Sequence, residues 1–217
     1  MNNINIHLGD SLEALKKMPD NAYDLAIVDP PYGIDVTNQS QGKGGGVARK
    51  IDYIKKDWDK SAPNKYYFEE LMRVSVNQVI WGANHFISRI PYDSSCWVIW
   101  DKDNGATDFA DCELAWTSFN TAARKLKWKW SGMLQQDMKN KETRIHPTQK
   151  PVKLYEWLLD NYAKEGDTIL DTHLGSGSIA LACHNRGYNL DAYEIDTDYY
   201  MSATNRLKQH QQQLTMF

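Results

Sequence analysis

The chain has little cysteine. Three residues, Cys96, Cys112 and Cys183, are scattered over 217 positions without a Cys-x-x-Cys pair. That excludes a disulfide framework and gives no zinc-site spacing, and the six histidines form no ligand-spaced pair either. No metal is expected. No apolar run approaches the length that crosses a bilayer. The amino-terminal Met-Asn-Asn-Ile-Asn-Ile does not read as a signal peptide, so a cytoplasmic location is expected. Charge of one sign is also missing. A net charge of −3 gives no compositional sign of a nucleic-acid binder, so any such binding has to come from local patches. What is present is ordinary for a folded domain, with 41% hydrophobic and 24% charged residues, enough for one sizeable α/β core. Eight Trp and twelve Tyr are more than usual, and such rings serve cores and interfaces more often than base stacking.

The most constrained stretch is Asp29-Pro30-Pro31-Tyr32. Tyr23 to Val28 before it is short, apolar and β-prone, which predicts a buried strand. Two prolines then end the ladder, since neither has an N–H, and each keeps the preceding residue out of the helical region. The result is a stiff turn at the carboxyl end of a strand, the edge where open α/β sheets bind ligands. It fixes one carboxylate beside one aromatic ring. Carbonyls near the prolines are candidates to face an amine, so the turn suits a flat base with an exocyclic NH2. The alternative is a plain Asp-Pro turn.

Upstream, Asn3 to Leu8 alternates as a strand, and Ser11 to Lys17 reads as a helix with Leu12 and Leu15 inward. Asp10 stands between them, an N-cap that Glu13 could complete as a capping box. If the strands ending at Asp10 and Asp29 are parallel neighbours, both acids share one sheet edge. Residues 33–65 read as an irregular, flexible insertion, either a lid or a surface loop. Its Gly42-Lys43-Gly44-Gly45-Gly46 lacks the Ser/Thr of a phosphate loop. Further on come a helix at Tyr66 to Val74 and strands at Asn77 to Trp81, Cys96 to Trp100 and Cys112 to Trp116. With little room for helices between them, the last three suggest an antiparallel edge. Ala122 to Trp130 interleaves four positive charges with Trp128 and Trp130. It reads equally as a nucleic-acid contact or as an amphipathic strand with lysines outward. His146 to Pro151 is a second stiff segment, leading into a helix at Val152 to Tyr162. A strand ending at Asp171, a glycine loop, a helix to Asn185 and a strand from Asn189 to Glu194 follow. Asp196 opens a last helix, whose Gln-rich end from Gln209 is expected to fray.

Gly175-x-Gly177-x-x-Ala180 between a strand and a helix, with Glu194 closing the next strand, matches the nucleotide-binding βαβ pattern. Glu194 can accept hydrogen bonds from ribose hydroxyls. Asp171 just before the glycines argues against a dinucleotide, because a carboxylate there repels phosphate and welcomes an ammonium. The unit lies late in the chain, so its sheet has to be completed by the amino-terminal strands. That brings Asp10 and Asp29 to the same crevice and suits an adenosine cofactor with a cationic amino-acid tail, S-adenosylmethionine.

With these motifs in place, the chain resembles the N6-adenine/N4-cytosine amino-methyltransferases of DNA in their β-type, permuted order. Gly9-Asp10-Ser11-Leu12, Asp29 to Tyr32, His146 to Pro151 and Asp171 to Gly177 occur in the family's sequence, spanning nearly the whole chain. The resemblance implies a single Rossmann-like methyltransferase domain of α/β class over residues 1–217. Its sheet would be mixed and mostly parallel, with helices on both faces and a circularly permuted motif order. It implies a catalytic Asp29-Pro30-Pro31-Tyr32. Asp29 and the Pro30 carbonyl would accept the target amine's hydrogens, with Asp29 also beside the cofactor methyl, and Tyr32 would stack on a flipped base. It implies cofactor binding by Asp10 (adenine amine), Glu194 (ribose), and Asp171, Gly175, Ser176 and Gly177 (methionine), with Thr148 and Lys150 near the methionine carboxylate. His173-Leu174 depart from the family, which has an aromatic before Gly-Ser-Gly, and this bears on local cofactor packing. Asp at the first motif position favours adenine in double-stranded DNA. N4-cytosine or RNA methylation, an NAD-binding oxidoreductase and an inactive DNA-binding subunit are the alternatives. Residues 103–144, with the 33–65 loop, are the expected DNA-recognition region. A region so small suggests a short target or a homodimer.

Overall fold

The computed structural model describes residues 2–35, 59–105, 110–131 and 134–214. The glycine run at 42–46 and most of the predicted insertion lie outside them. The core is one eight-stranded sheet. Its strands are β1 (Ile4–Leu8), β2 (Tyr23–Val28), β3 (Ser75–Trp81), β4 (Trp97–Asp101), β5 (Cys112–Thr117), β6 (Arg124–Lys127), β9 (Thr168–Asp171) and β10 (Asn189–Glu194), in the order β1-β10-β9-β2-β3-β5-β4-β6. The five strands from β1 to β3 are parallel, β5 is antiparallel to β3 and β4, and β6 closes the edge parallel to β4. The mixed, mostly parallel sheet and its antiparallel flank are as the sequence predicts. One expectation is corrected: β1 and β2 are not neighbours, because β10 and β9 lie between them. Asp10 and Asp29 still share the carboxyl edge, since all four strands run the same way.

Both faces are covered, and the alternation of side chains decides which residue serves which face. Leu25 and Ile27 of β2, Val79 and Trp81 of β3, and Ala192 of β10 pack with α3 (Val152–Tyr162), α4 (Ser178–Arg186) and α5 (Thr197–Leu214). Ala26 and Val28 of β2, Ile80 of β3 and Leu170 of β9 pack with α1 (Ser11–Leu15) and α2 (Lys65–Val74). This two-sided burial makes β2 read as a continuous apolar run.

Several local expectations change. α1 ends at Leu15, with Lys16 as C-cap. Asp10 does cap it, its Oδ1 accepting from the Leu12 N–H at 2.8 Å. Glu13 does not complete a box; its carboxylate pairs with Lys16 at 2.7 Å. The Gln-rich end is helical as far as Leu214. Trp130–Ser131 (β7) and Leu134–Gln135 (β8) form a small antiparallel ladder that the sequence does not predict. Leu126 and Trp128 pack against the core and Trp130 is buried within it. Lys125 reaches Asp101, and Lys127 and Lys129 reach Asp103. Of the two readings of 122–130, the amphipathic strand is the arrangement found. Among the described residues no helix is long and apolar enough to cross a membrane.

Candidate active site

The site grows from the end of β2. After Val28 the Pro30-Pro31 turn carries the chain over the carboxyl edge, and Asp59 clamps it: the N–H groups of Tyr32 and Gly33 both donate to Asp59 Oδ1, at 2.8 and 3.0 Å. Buried Asp59 went unrecognised in the sequence, where it sits in the unpatterned loop. The Tyr32 ring lies over Gly82 at the end of β3. A Cβ on Gly82 would sit 2.0 Å from Tyr32 Cε1, and Gly82 has φ +67°, a conformation that suits glycine. His85 covers the ring in a near-parallel stack at 4.9 Å.

Tyr32 donates its hydroxyl proton to Asp29 Oδ1 at 2.8 Å. Lys150 Nζ lies 2.5 Å from Asp29 Oδ2, 3.1 Å from the Tyr32 oxygen and 3.0 Å from Glu113 Oε2. Glu113 Oε1 in turn meets Lys102 Nζ at 2.5 Å. Lys150 was expected near a cofactor carboxylate. Its ammonium instead turns to Asp29 and Glu113, because a buried cation is tolerable only against buried anions. Burial pushes the Asp29 carboxyl above its ordinary range, against the pull of Lys150. Burial opposes the Lys150 charge, but Asp29 and Glu113 hold the ammonium above the usual lysine value. Burial would raise Glu113 too, yet Lys150 and Lys102 bring it down to about 2.

The glycine loop forms the neighbouring wall. Gly175 and Gly177 have φ +53° and +73°, and a Cβ on Gly177 would meet the Ala203 Cβ of α5 at 3.0 Å. The Gly175 N–H donates to Glu194 Oε2 at 2.8 Å, the Asp196 N–H to Glu194 Oε1 at 2.9 Å, and the Gly9 N–H to the Glu194 carbonyl at 2.9 Å. The ends of β1, β9 and β10 are thereby tied together. Asp171 is buried and accepts the His173 N–H at 3.0 Å. Burial first, then repulsion from Asp29 and Glu194, pushes its carboxyl up to about 8. Burial also drives His173 down to about 4, so its ring is neutral near pH 7. Thr148 is held on the His146 ring at 3.1 Å. That ring packs against Gly175 and, edge-on, against Tyr199. Ser176 Oγ lies 3.1 Å from Ser178 Oγ, and Ser178 donates to the Lys150 carbonyl at 2.7 Å. Lys150 thus has its main chain on the first residue of α4, directly after the glycine loop, and its ammonium on Asp29.

Of the residues singled out in the sequence, Asp29, Tyr32 and Lys150 are in direct contact, and Asp171, Gly175, Ser176, Gly177 and Glu194 line the adjoining edge. Asp10 lies at its outer end, exposed, and Thr148 stands behind the loop. Glu113, Lys102, Asp59 and Gly82 were missed. The one available signal was a glutamate inside the apolar Cys112–Trp116 run. Among the described residues no group of three or more His, Cys, Asp or Glu could hold a metal.

A family model described as DNA methylase, of the N6/N4 methyltransferase group, matches residues 89–205, more than half of the chain. The chain belongs to this DNA methylase family. The Type II methyltransferase M2.DpnII of Streptococcus pneumoniae is 25% identical to the methylase over 92% of its chain and 87% of the relative. The Type II methyltransferase M2.LlaDCHI of Lactococcus lactis subsp. cremoris is 26% identical over 95% and 89%. The crystal structure of the M1.HpyAVI–SAM complex superposes with a TM-score of 0.57 at 21% identity, covering 94% of the methylase and all of that chain.

Proposed function

We propose that this methylase moves the methyl group of S-adenosylmethionine to the exocyclic N6 amine of adenine in DNA, with the target base flipped out of the duplex. The observation that carries the reading is the junction at Lys150, where the proline turn and the glycine loop, far apart in sequence, meet at one carboxyl edge. The residues present fit the donor. Asp10, two residues past β1, and Asp171 and Glu194, the last residues of β9 and β10, form a row of acids along the carboxyl edge. Such a row suits hydroxyls and cations and repels a pyrophosphate. The glycines leave a backbone cradle next to it, and Ile195, 63% exposed beside Glu194, offers apolar surface to a purine ring. Bound there, S-adenosylmethionine supplies an activated methyl group on a sulfonium.

The protein's part is positioning and charge. Asp29 accepts one amine hydrogen and the Pro30 carbonyl the other, drawing the aromatic nitrogen's lone pair out of the ring and toward the methyl carbon. As the nitrogen–carbon bond forms and the carbon–sulfur bond breaks, Asp29 is placed to take the proton that the amine sheds. Tyr32, backed by His85, offers a ring to the flipped base. We assign the DNA contact to the 103–144 region, where β6 presents its lysines, together with the 33–65 loop. Adenine is favoured by the aspartate at position 29. The test is incubation with labelled S-adenosylmethionine and plasmid DNA, followed by nucleoside analysis. N6-methyladenine supports the reading, N4-methylcytosine overturns the choice of base, and label transferred to RNA but not to DNA overturns the substrate. Asp29→Ala is expected to remove transfer with the fold intact but a lowered melting temperature, because Lys150 loses a buried partner and keeps only Glu113; retained turnover would refute its role.

A further inference from the structure

Each Asp29 oxygen already carries a donor from the protein itself, Tyr32 on Oδ1 and Lys150 on Oδ2. An arriving amine has to share an oxygen with one of these donors or take its place, and the shorter of the two contacts, to Lys150, is the harder to give up. We infer that Glu113 is a positioning residue for the transfer: it shares the Lys150 ammonium with Asp29 and receives the Tyr32 hydroxyl when the target amine takes its place. The inference rests on the function proposed above.

The distances carry it. The Tyr32 hydroxyl has one proton and two acceptors in reach, Asp29 Oδ1 at 2.8 Å and Glu113 Oε2 at 3.3 Å. A small rotation moves that proton from one carboxylate to the other. Lys150 has no reason to move, because its three protons already face Asp29 Oδ2, the Tyr32 oxygen and Glu113 Oε2 at 2.5, 3.1 and 3.0 Å. The Trp81 and Tyr32 rings flank the same ammonium at 5.4 and 5.6 Å. The charges alternate in the order Asp29, Lys150, Glu113, Lys102, two of each sign. Their side chains are 2% to 20% exposed, so each member strongly affects the next. Lys102, lying over the Trp100 ring, keeps Glu113 from competing fully for Lys150. The other titratable groups facing Asp29 are Asp171 from β9, Tyr67 from α2 and Tyr155 from α3.

A mere ion clamp and a positioning device respond differently to substitution. Glu113→Gln removes a negative neighbour of Asp29, so Asp29 ionises more readily and the acid limb of the single-turnover rate moves to lower pH. Lys102→Met removes a positive charge and lets Glu113 draw Lys150 away, so the limb moves to higher pH. The experiment is single-turnover methyl transfer across pH for wild type, Glu113→Gln and Lys102→Met, with melting curves and S-adenosylmethionine affinities alongside. Glu113→Gln is expected to transfer about 10²-fold more slowly while cofactor affinity stays within about twofold of wild type. Limbs that stay put, or move the same way in both variants, overturn the inference, as does a wild-type rate in Glu113→Gln. If Glu113→Gln does not fold, Lys102→Met decides by the direction of its limb. A wild type that transfers no methyl overturns the proposed function and this inference with it. An active wild type that is silenced by Asp29→Ala, with unmoved limbs in the two variants, overturns the inference alone.

Discussion

Gly82 shows how much the site depends on a missing side chain. The Tyr32 ring occupies the space of its Cβ, and its φ of +67° disfavours any replacement. Gly82→Ala is expected to lose about 1–2 kcal/mol of stability through the backbone, read from denaturant melts. It should also slow methyl transfer by on the order of 10²-fold, because Tyr32 is expelled. Cofactor affinity should hold, since the glycine loop is untouched; an unimpaired rate would refute the assignment to Tyr32. Asp171 gives a second prediction at this scale. With its carboxyl near pH 8, binding a cationic ligand at lower pH must eject a proton. The ratio of wild-type to Asp171→Asn affinity for S-adenosylmethionine should therefore rise from pH 6 to about 8, by at most about tenfold per unit, and flatten above. Calorimetry in buffers of different ionisation enthalpy should show the proton release in the wild type only. A ratio constant over that range would remove Asp171 from the cation's surroundings. The partners of these residues were the hardest part to read in advance. Glu113 alternates with apolar neighbours in β5 as a solvent-facing residue would, and only Lys150, distant in sequence, reveals it as half of a buried pair. Lys150 itself was legible as part of a stiff motif, but its direction depends on which anion lies deepest.

Elements were more legible than contacts wherever burial is two-sided. β2 and β9 stand out as short apolar runs closed by an acid because both of their faces meet helices. The acid marks where the sheet stops. One-sided elements were ambiguous, and β6 is the case in point. Its lysines and the tryptophans that follow it, Trp128 and Trp130, fitted a stacking surface or a solvated edge, and only packing separates the two: the rings turn to the core and the lysines stay outside. Lys127 and Lys129 share Asp103, so their charge is partly neutralised before any DNA arrives. The joint change of Lys125, Lys127 and Lys129 to Ala should still lower the slope of log affinity against log salt, by about one to three units, if the edge lies along the phosphates. An unchanged slope would move the DNA contact elsewhere in the 103–144 region or to the 33–65 loop.

Across the whole molecule, the permuted order means that no single stretch of chain builds the site. The amino-terminal third supplies the proline turn and the carboxyl-terminal third the glycine loop, and parallel pairing of β2 with β9 joins them. Side chains reinforce that seam from outside the sheet. Arg206 of α5 donates to the Ser176 carbonyl at 2.9 Å and to Ser178 Oγ at 3.0 Å, and pairs with Glu142 at 2.7 Å. Glu142 also accepts the Val152 N–H at 3.0 Å, at the start of α3. One ion pair thus fastens the glycine loop, the last helix and the segment leading to Lys150. Both side chains are mostly buried, so removing one partner strands the other. Arg206→Met and Glu142→Gln should each cost about 2–4 kcal/mol in denaturant melts. The double variant should cost less than their sum, by about 1 kcal/mol or more. Because the pair acts on the glycine loop and the Lys150 segment together, each single variant should also weaken S-adenosylmethionine binding. Additive costs with unchanged cofactor affinity would mean that the sheet alone holds the two halves of the site in register.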